Sequence, residues 1–196
     1  CVGHINHGLW THPRDESHRF NELSYWTEQA KTLESGLFDG LFIADITGVY
    51  DVYQNGIDLT LKESIQLPSH DPSTLISAMA AVTQNLSFGV TVNLSYEHPY
   101  QFARRFASLD HLTQGRIAIN VVSGWFRGEF DAIGEPWPEH DERYVRSEEF
   151  IRTLKGIWTT DNYSFDGKYY QFQNYTLKPK PLQKPYIEIF QGGSSR

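Results

Sequence analysis

The chain has 196 residues, of which 39% are hydrophobic, 21% charged and 14% aromatic, the composition of an ordinary globular protein. These values exclude an intrinsically disordered segment, a collagen-like rod and a disulfide-rich miniprotein. A net charge of −7 with dispersed basic residues argues against a nucleic-acid or anionic-membrane partner. No apolar run approaches the roughly 18 residues that a membrane span needs. With 1 cysteine the chain forms no internal disulfide, which fits a reducing cytoplasm.

Amphipathic and apolar segments alternate along the chain, which is typical of helices alternating with strands. The pattern predicts helices over residues 21–34 (ended by Gly36), 72–83, from Pro99 onward, and 143–158. It predicts strands over 37–45, 86–95, 116–122 and 186–190, and a hairpin around Asp166-Gly167.

This order predicts right-handed βαβ units with a parallel sheet. Because no Gly-x-Gly-x-x-Gly motif follows an early strand, a (β/α)8 barrel is favoured over a dinucleotide-binding sheet. Four full strands are predicted and residues 1–3 supply the end of another, which amounts to about five of the eight strands in such a barrel. Since the chain starts without Met and stops at a Gly-Ser turn, we expect residues 1–196 to be one incomplete barrel domain that lacks strands 6–8.

Polar residues occur at successive predicted strand ends, where barrel enzymes build their sites. They are Asp45, Ser95, Asn120 with Ser123, and Ser194-Ser195. The glycines and hydroxyls of residues 191–195, before an expected helix, predict a phosphate cradle, although such runs also form plain loops.

Histidines offer further candidates. The spacing of His4 and His7 suits the start of a metal site, but no cluster supplies the further ligands that zinc requires, so we predict no metal and place both in a pocket. His140 and Tyr144 lie four residues apart and face one side of a helix start. The alternative is that acidic neighbours favour the positive end of the helix while His140 is a surface cap. Cys1 is either a nucleophile or an inert thiol.

Several segments resemble the bacterial-luciferase-like flavin monooxygenases. They read CVGHINHGLW (1–10), FDGLFIAD (38–45), YEHPY (96–100), LDHLT (109–113), GR (115–116) and NVV (120–122). Up to about residue 120 the chain resembles the long-chain alkane, nitrilotriacetate and dibenzothiophene-sulfone branch. Residues 118–196, with NVVSGWFRGEF (120–130) and FQGGSSR (190–196), resemble dimethylsulfone monooxygenases. Ser123-Gly124 stands where the alkane-type branch usually has Thr-Ser.

The resemblance implies a (β/α)8 barrel, homodimeric or homotetrameric, that takes reduced FMN from a separate NAD(P)H:flavin reductase. With O2 it would oxygenate a small organic or organosulfur compound, of dimethylsulfone or alkane type. The resemblance places Asp45, Ser95, Asn120, His140 and Tyr144 at the flavin and Ser194 and Ser195 at its phosphate. It places Cys1, His4, Tyr50 and Gln66 on the reactive side of the pocket.

Oxygenation by a reduced flavin requires a closed apolar pocket with a few oriented hydrogen-bond donors. His4 or His140 is a candidate proton donor. The candidate walls of the pocket are Tyr50, Tyr53, Trp125 and Phe126. One alternative is a deazaflavin-dependent oxidoreductase of the same superfamily. Another is a glycosidase barrel with Glu97 and Glu129 as paired carboxylates. The third is an inactive fragment, since an incomplete barrel is expected to bind FMN poorly.

Overall fold

A computed structural model describes residues 12–67 and 69–192. The described chain divides into two compact units. The first contains the described residues up to Leu86 together with Phe126–Trp137, and the second contains Ser87–Trp125 and the described residues from Pro138 onward.

Helices and strands alternate through most of the described chain. In order they are α1 (Leu23–Ser35), β1 (Gly40–Ile43), α2 (Asp58–Lys62), α3 (Ser73–Ala81), β2 (Ser87–Asn93), α4 (Pro99–Leu112), β3 (Ile117–Val122), α5 (Arg127–Ile133), α6 (His140–Thr159), β4 (Tyr163–Asp166), β5 (Gln171–Tyr175) and β6 (Glu188–Gln191). Within the described ranges, no helix is long and apolar enough to cross a membrane.

The core of the first unit lies between α1 and α3, which pack against each other. Trp26 and Ala30 are buried on α1, and Ile76 and Met79 are fully buried on α3. The indole N–H of Trp26 donates to the carbonyl of Phe20 at 2.7 Å, so the polar atom of this large core residue is satisfied.

The carboxyl end of α1 also holds a loop. The helix ends before Gly36, as predicted. Glu34, in its last turn, accepts hydrogen bonds from the backbone N–H groups of Gln84, Asn85 and Leu86 at 2.8, 2.5 and 3.0 Å. The carboxylate thus gives three consecutive backbone amides of this loop a charged acceptor.

A parallel sheet forms the core of the second unit, with β3 between β2 and β6. Phe88 lies opposite Ile117, and Ile119 lies opposite Ile189. Ile117, Ile119 and Val121 are buried while the residues between them are partly exposed, which is the alternation expected of a strand with one face on a core.

Helices α4 and α6 pack together in the same unit. Helix α4 begins at Pro99, as predicted, because proline suits a first helical position. The rings of Phe102 and Phe150 meet edge to face with centroids 5.5 Å apart. The indole N–H of Trp158 donates to the carbonyl of Ala103 at 3.1 Å.

The predicted order of helices and strands is confirmed, and several details differ. Helix α6 begins at His140 rather than at 143, because Asp141 and Glu142 favour the positive end of the helix. Strand β1 is shorter than the predicted segment 37–45. The short helices α2 and α5 were not predicted, because 5 and 7 residues are too few for a clear apolar period.

The β4–β5 hairpin is held by a buried carboxylate of α6. Glu149 accepts backbone N–H bonds from Lys168, Tyr169 and Tyr170 at 3.0, 2.8 and 2.7 Å. These amides turn toward Glu149, so the strands are joined through residues 167–170 rather than by a tight Asp-Gly turn. A side chain on Gly167 would collide with the Glu149 carboxylate, which explains the glycine.

We expect Glu149→Ala to lower the free energy of unfolding by about 2–4 kcal/mol, because three backbone N–H groups lose a charged acceptor. Urea unfolding monitored by circular dichroism measures the change. The exposed neighbour supplies a control, and Glu148→Ala is expected to change this free energy by less than about 0.5 kcal/mol. Equal effects of the two substitutions would contradict an anchoring role for Glu149.

Candidate functional site

The predicted site residues that the structure describes are divided between the two units. The first unit contains Asp45, Tyr50 and Gln66, and the second contains Ser95, Asn120, His140 and Tyr144. Cys1, His4, His7, Ser194 and Ser195 lie outside the described residues.

Asp45 lies just beyond β1, at the start of a loop of residues 44–52 that we call the β1 loop. Partial burial, followed by the negative charge of Asp71, raises the pKa of Asp45 to about 6; Glu129 adds a smaller increase, and a hydrogen bond with the Ile46 backbone opposes it. A carboxyl group with this pKa gains or loses a proton near neutral pH, and strongly shifted groups are concentrated at functional sites.

The β1 loop is fixed by the start of α5. Glu129 is 4% exposed, and its Oε1 accepts the backbone N–H groups of Thr47 and Gly48 at 2.6 and 3.1 Å. Tyr50 stacks on Phe126 with ring centroids 5.9 Å apart. The pKa of Tyr50 is raised by burial and then by the charge of Glu129. This loop therefore brings the predicted residue Tyr50 close to the side chains of α5.

Gln66 is buried in the first unit. Its backbone has φ of 58°, in the left-handed region, where a residue other than glycine is strained. Strain of this kind persists where the surrounding structure fixes it, as at binding sites. Its role on the reactive side of the pocket remains a prediction.

The second unit places Ser95 and Asn120 near the carboxyl ends of β2 and β3. Asn120 lies opposite Thr91 in the sheet, and its Nδ2 donates to the Thr91 hydroxyl at 3.3 Å. The Ser95 hydroxyl donates to the carbonyl of Ser123 at 3.1 Å. Asn120 is thus in β3, while Ser95 and Ser123 lie just beyond the carboxyl ends of the neighbouring parallel strands β2 and β3, as the sequence indicates.

Arg143 is a residue near this edge that the sequence analysis did not single out. Its side chain is 8% exposed, and its Nη1 donates to the carbonyl of Gly124 at 2.8 Å. Gly124 has φ of 80°, a conformation that glycine adopts without strain. Together with Ser95, Arg143 fixes two consecutive carbonyl groups of the turn after β3. The sequence does give one indication of its importance, since Arg143 lies between the predicted site residues His140 and Tyr144.

His140 and Tyr144 lie side by side on the first turns of α6, with ring centroids 5.0 Å apart, so their predicted proximity is confirmed. His140 Nδ1 is 3.0 Å from a carboxylate oxygen of Asp141. The same turn is tied to the hairpin, because Glu142 accepts hydrogen bonds from the Lys168 ammonium and the Tyr169 hydroxyl, both at 2.8 Å. The pKa of Glu142 is lowered by these bonds.

The carboxylates of the glycosidase alternative have partners of their own. Glu97 pairs with Arg105 at 2.6 Å, while Glu129 accepts the two amides of the β1 loop. Over residues 12–67 and 69–192, no group of three or more His, Cys, Asp or Glu side chains is arranged to hold a metal ion.

Residues 5–196 match the family model of the luciferase-like monooxygenases. The chain is 50% identical over 159 residues to the long-chain alkane monooxygenase of Geobacillus thermodenitrificans (strain NG80-2), covering 81% of this chain and 36% of that protein. It is 60% identical over 127 residues to the FMNH(2)-dependent dimethylsulfone monooxygenase of Pseudomonas putida, covering 65% of this chain and 35% of that protein.

A crystal structure of long-chain alkane monooxygenase matches with a TM-score of 0.93 and 40% identity, covering 100% of this chain and 50% of that one. The predicted α/β fold of the luciferase-like barrel type is confirmed by this likeness. The chain spans between 35% and 50% of the length of these relatives. The matches to the family model, to the curated relatives and to the solved structure agree, and the chain belongs to the luciferase-like monooxygenase family.

Proposed function

We propose that this protein is a monooxygenase that uses reduced FMN and O2 to oxygenate a small organic or organosulfur compound. The match of residues 5–196 to the luciferase-like monooxygenases carries the proposal. Relatives named for FMNH2-dependent and alkane oxygenation support the cofactor and the reaction class.

The polar and aromatic groups of the predicted site residues suit a flavin. An isoalloxazine ring has one polar edge and two flat faces, so it needs oriented donors and acceptors together with apolar or aromatic surface. The second unit offers the Ser95 hydroxyl, the Asn120 amide and the adjacent rings of His140 and Tyr144. The first unit offers the Asp45 carboxyl group. We assign these residues to flavin binding and Ser194 and Ser195 to its phosphate.

Bound reduced FMN supplies the two electrons with which one atom of O2 enters the substrate and the other leaves as water. The task of the protein is to orient the ring and keep bulk water away. The stacked pair of Tyr50 and Phe126 provides apolar surface beside the β1 loop. Cys1, His4 and Tyr50 are assigned to the reactive side, and His4 or His140 to proton donation.

A two-component system follows from this cofactor, because reduced FMN has to be delivered by an NAD(P)H:flavin reductase. We place both components in the cytoplasm, where NAD(P)H is available, and expect a homodimer or homotetramer. Ser123-Gly124 after β3 favours the dimethylsulfone type of substrate over the alkane type.

We expect Tyr144→Phe and Ser195→Ala each to weaken FMN binding about tenfold, because each removes one hydrogen-bonding hydroxyl. Flavin fluorescence titration of the longest natural form of the protein measures the affinity. Tyr100→Phe is the matched control, since Tyr100 is a similarly exposed tyrosine whose ring contacts Tyr175 on the hairpin. Unchanged affinity in both site variants would refute the assignment of these two residues.

We also expect oxidation of dimethylsulfone in preference to a long-chain alkane. The assay supplies FMN, NADH and a flavin reductase to the longest natural form and follows products by mass spectrometry and O2 by electrode. A reaction without the protein corrects for oxidation of free reduced flavin. Oxidation of neither compound rejects both substrate types, whereas flavin-dependent turnover without O2 consumption identifies a hydride-transferring oxidoreductase instead.

A further inference from the structure

Glu129 makes hydrogen bonds to a loop more than eighty residues away in the sequence. It lies in the first turn of α5 and accepts the N–H groups of Thr47 and Gly48, separations of 82 and 81 residues. Burying a carboxylate is costly unless hydrogen bonds replace its hydration. Charge-assisted bonds of this length are among the strong ones. The carboxylate and the β1 loop therefore stabilise each other.

Close packing reinforces this attachment. An added Cβ at Gly48 would lie 2.6 Å from the Phe126 ring and 2.7 Å from Cγ of Glu129, so the loop approaches α5 as closely as only glycine permits. Two residues later, Tyr50 stacks on the same Phe126 ring. Two hydrogen bonds, the close approach at Gly48 and the ring stacking thus fix one short stretch of loop between Asp45 and Tyr50.

The charge of Glu129 also acts on both ends of that stretch. It raises the pKa of Asp45, together with burial and the nearby carboxylate of Asp71. It also raises the pKa of Tyr50, after burial. Fixing the loop holds these two groups at defined distances from the Glu129 charge.

We infer that Glu129 is a positioning residue, which fixes the β1 loop through its carboxylate oxygen. The link from this loop to the flavin rests on the proposed function. The hydrogen bonding does not, because it is a property of the first unit alone.

Two variants separate the hydrogen bonds from the charge. Both N–H groups bond to the same oxygen, Oε1, so Glu129→Gln retains one acceptor for both while removing the charge. Glu129→Ala removes acceptor and charge together. Glu135→Gln, an exposed carboxylate just beyond α5, is the control for loss of one negative charge.

Hydrogen exchange measured by NMR on the full chain tests the positioning. We expect the Thr47 and Gly48 amides to exchange about tenfold to a hundredfold faster in Glu129→Ala, and near the original rate in Glu129→Gln. Amides in α1 and α3 report whether the first unit remains folded. Unchanged exchange of both loop amides in a folded Glu129→Ala variant would overturn the inference.

Titration of the Asp45 carboxyl carbon by NMR tests the charge. Removing a negative neighbour makes the ionised form of Asp45 less unfavourable, so its pKa should fall from about 6 in Glu129→Gln. Glu135→Gln should leave the value in place. A shift absent from Glu129→Gln, or equal in both variants, would contradict a contribution of the Glu129 charge to the pKa of Asp45.

FMN titration of the same variants in the longest natural form keeps the two proposals apart. If the β1 loop contributes to the flavin site, Glu129→Ala weakens FMN binding about tenfold and Glu129→Gln restores most of it. Faster amide exchange with unaltered FMN affinity would uphold the positioning by Glu129 and count against Asp45 as a flavin contact.

Discussion

Hydrogen bonds from backbone amides to side-chain carboxylates hold the connecting segments of this protein in place. Strands satisfy their amides in the sheet and helices satisfy theirs internally, but a loop that packs against the protein has neither option. Here a carboxylate from another element supplies the acceptor. The pairs are Glu34 with residues 84–86, Glu129 with residues 47–48, Glu149 with residues 168–170, and Asp110 with Gln183.

This arrangement explains how a chain with an excess of acidic residues can bury several of them. An isolated buried carboxylate is unfavourable, whereas one that accepts two or three N–H bonds is solvated by the protein itself. Glu129 and Glu149 are both largely buried and both meet that condition. Each lies on a helix and reaches a loop, so a rigid element determines the shape of a less regular one.

Side chains also fix the turn after β3, but here the side chains donate hydrogen bonds and the backbone accepts them. There the backbone presents carbonyl groups, and the donors are the Ser95 hydroxyl and the Arg143 guanidinium. The left-handed conformation of Gly124 turns its carbonyl toward the second donor. Ser95, a predicted flavin residue, and Arg143 thus hold consecutive carbonyl groups of this turn.

Much of the fold can be predicted from local sequence, but the carboxylates that bind loop amides, such as Glu129, cannot. The start of α4 at Pro99 and the end of α1 at Gly36 are determined by the conformational preferences of those residues, so periodicity and end signals were sufficient. The paired rings of His140 and Tyr144 follow from helical spacing. By contrast, the role of Glu129 depends on a contact 81 and 82 residues away, which no local pattern contains.

Asp45 differs from the anchoring carboxylates in how its charge is compensated. Glu129 and Glu149 accept several backbone N–H bonds, which stabilise an ionised carboxylate in a buried position. Asp45 is partly buried beside Asp71 and Glu129, and its bond with the Ile46 backbone offsets this only in part, so its pKa rises to about 6. Because such shifts are concentrated at functional sites, this environment supports the assignment of Asp45 to flavin binding in the proposed function.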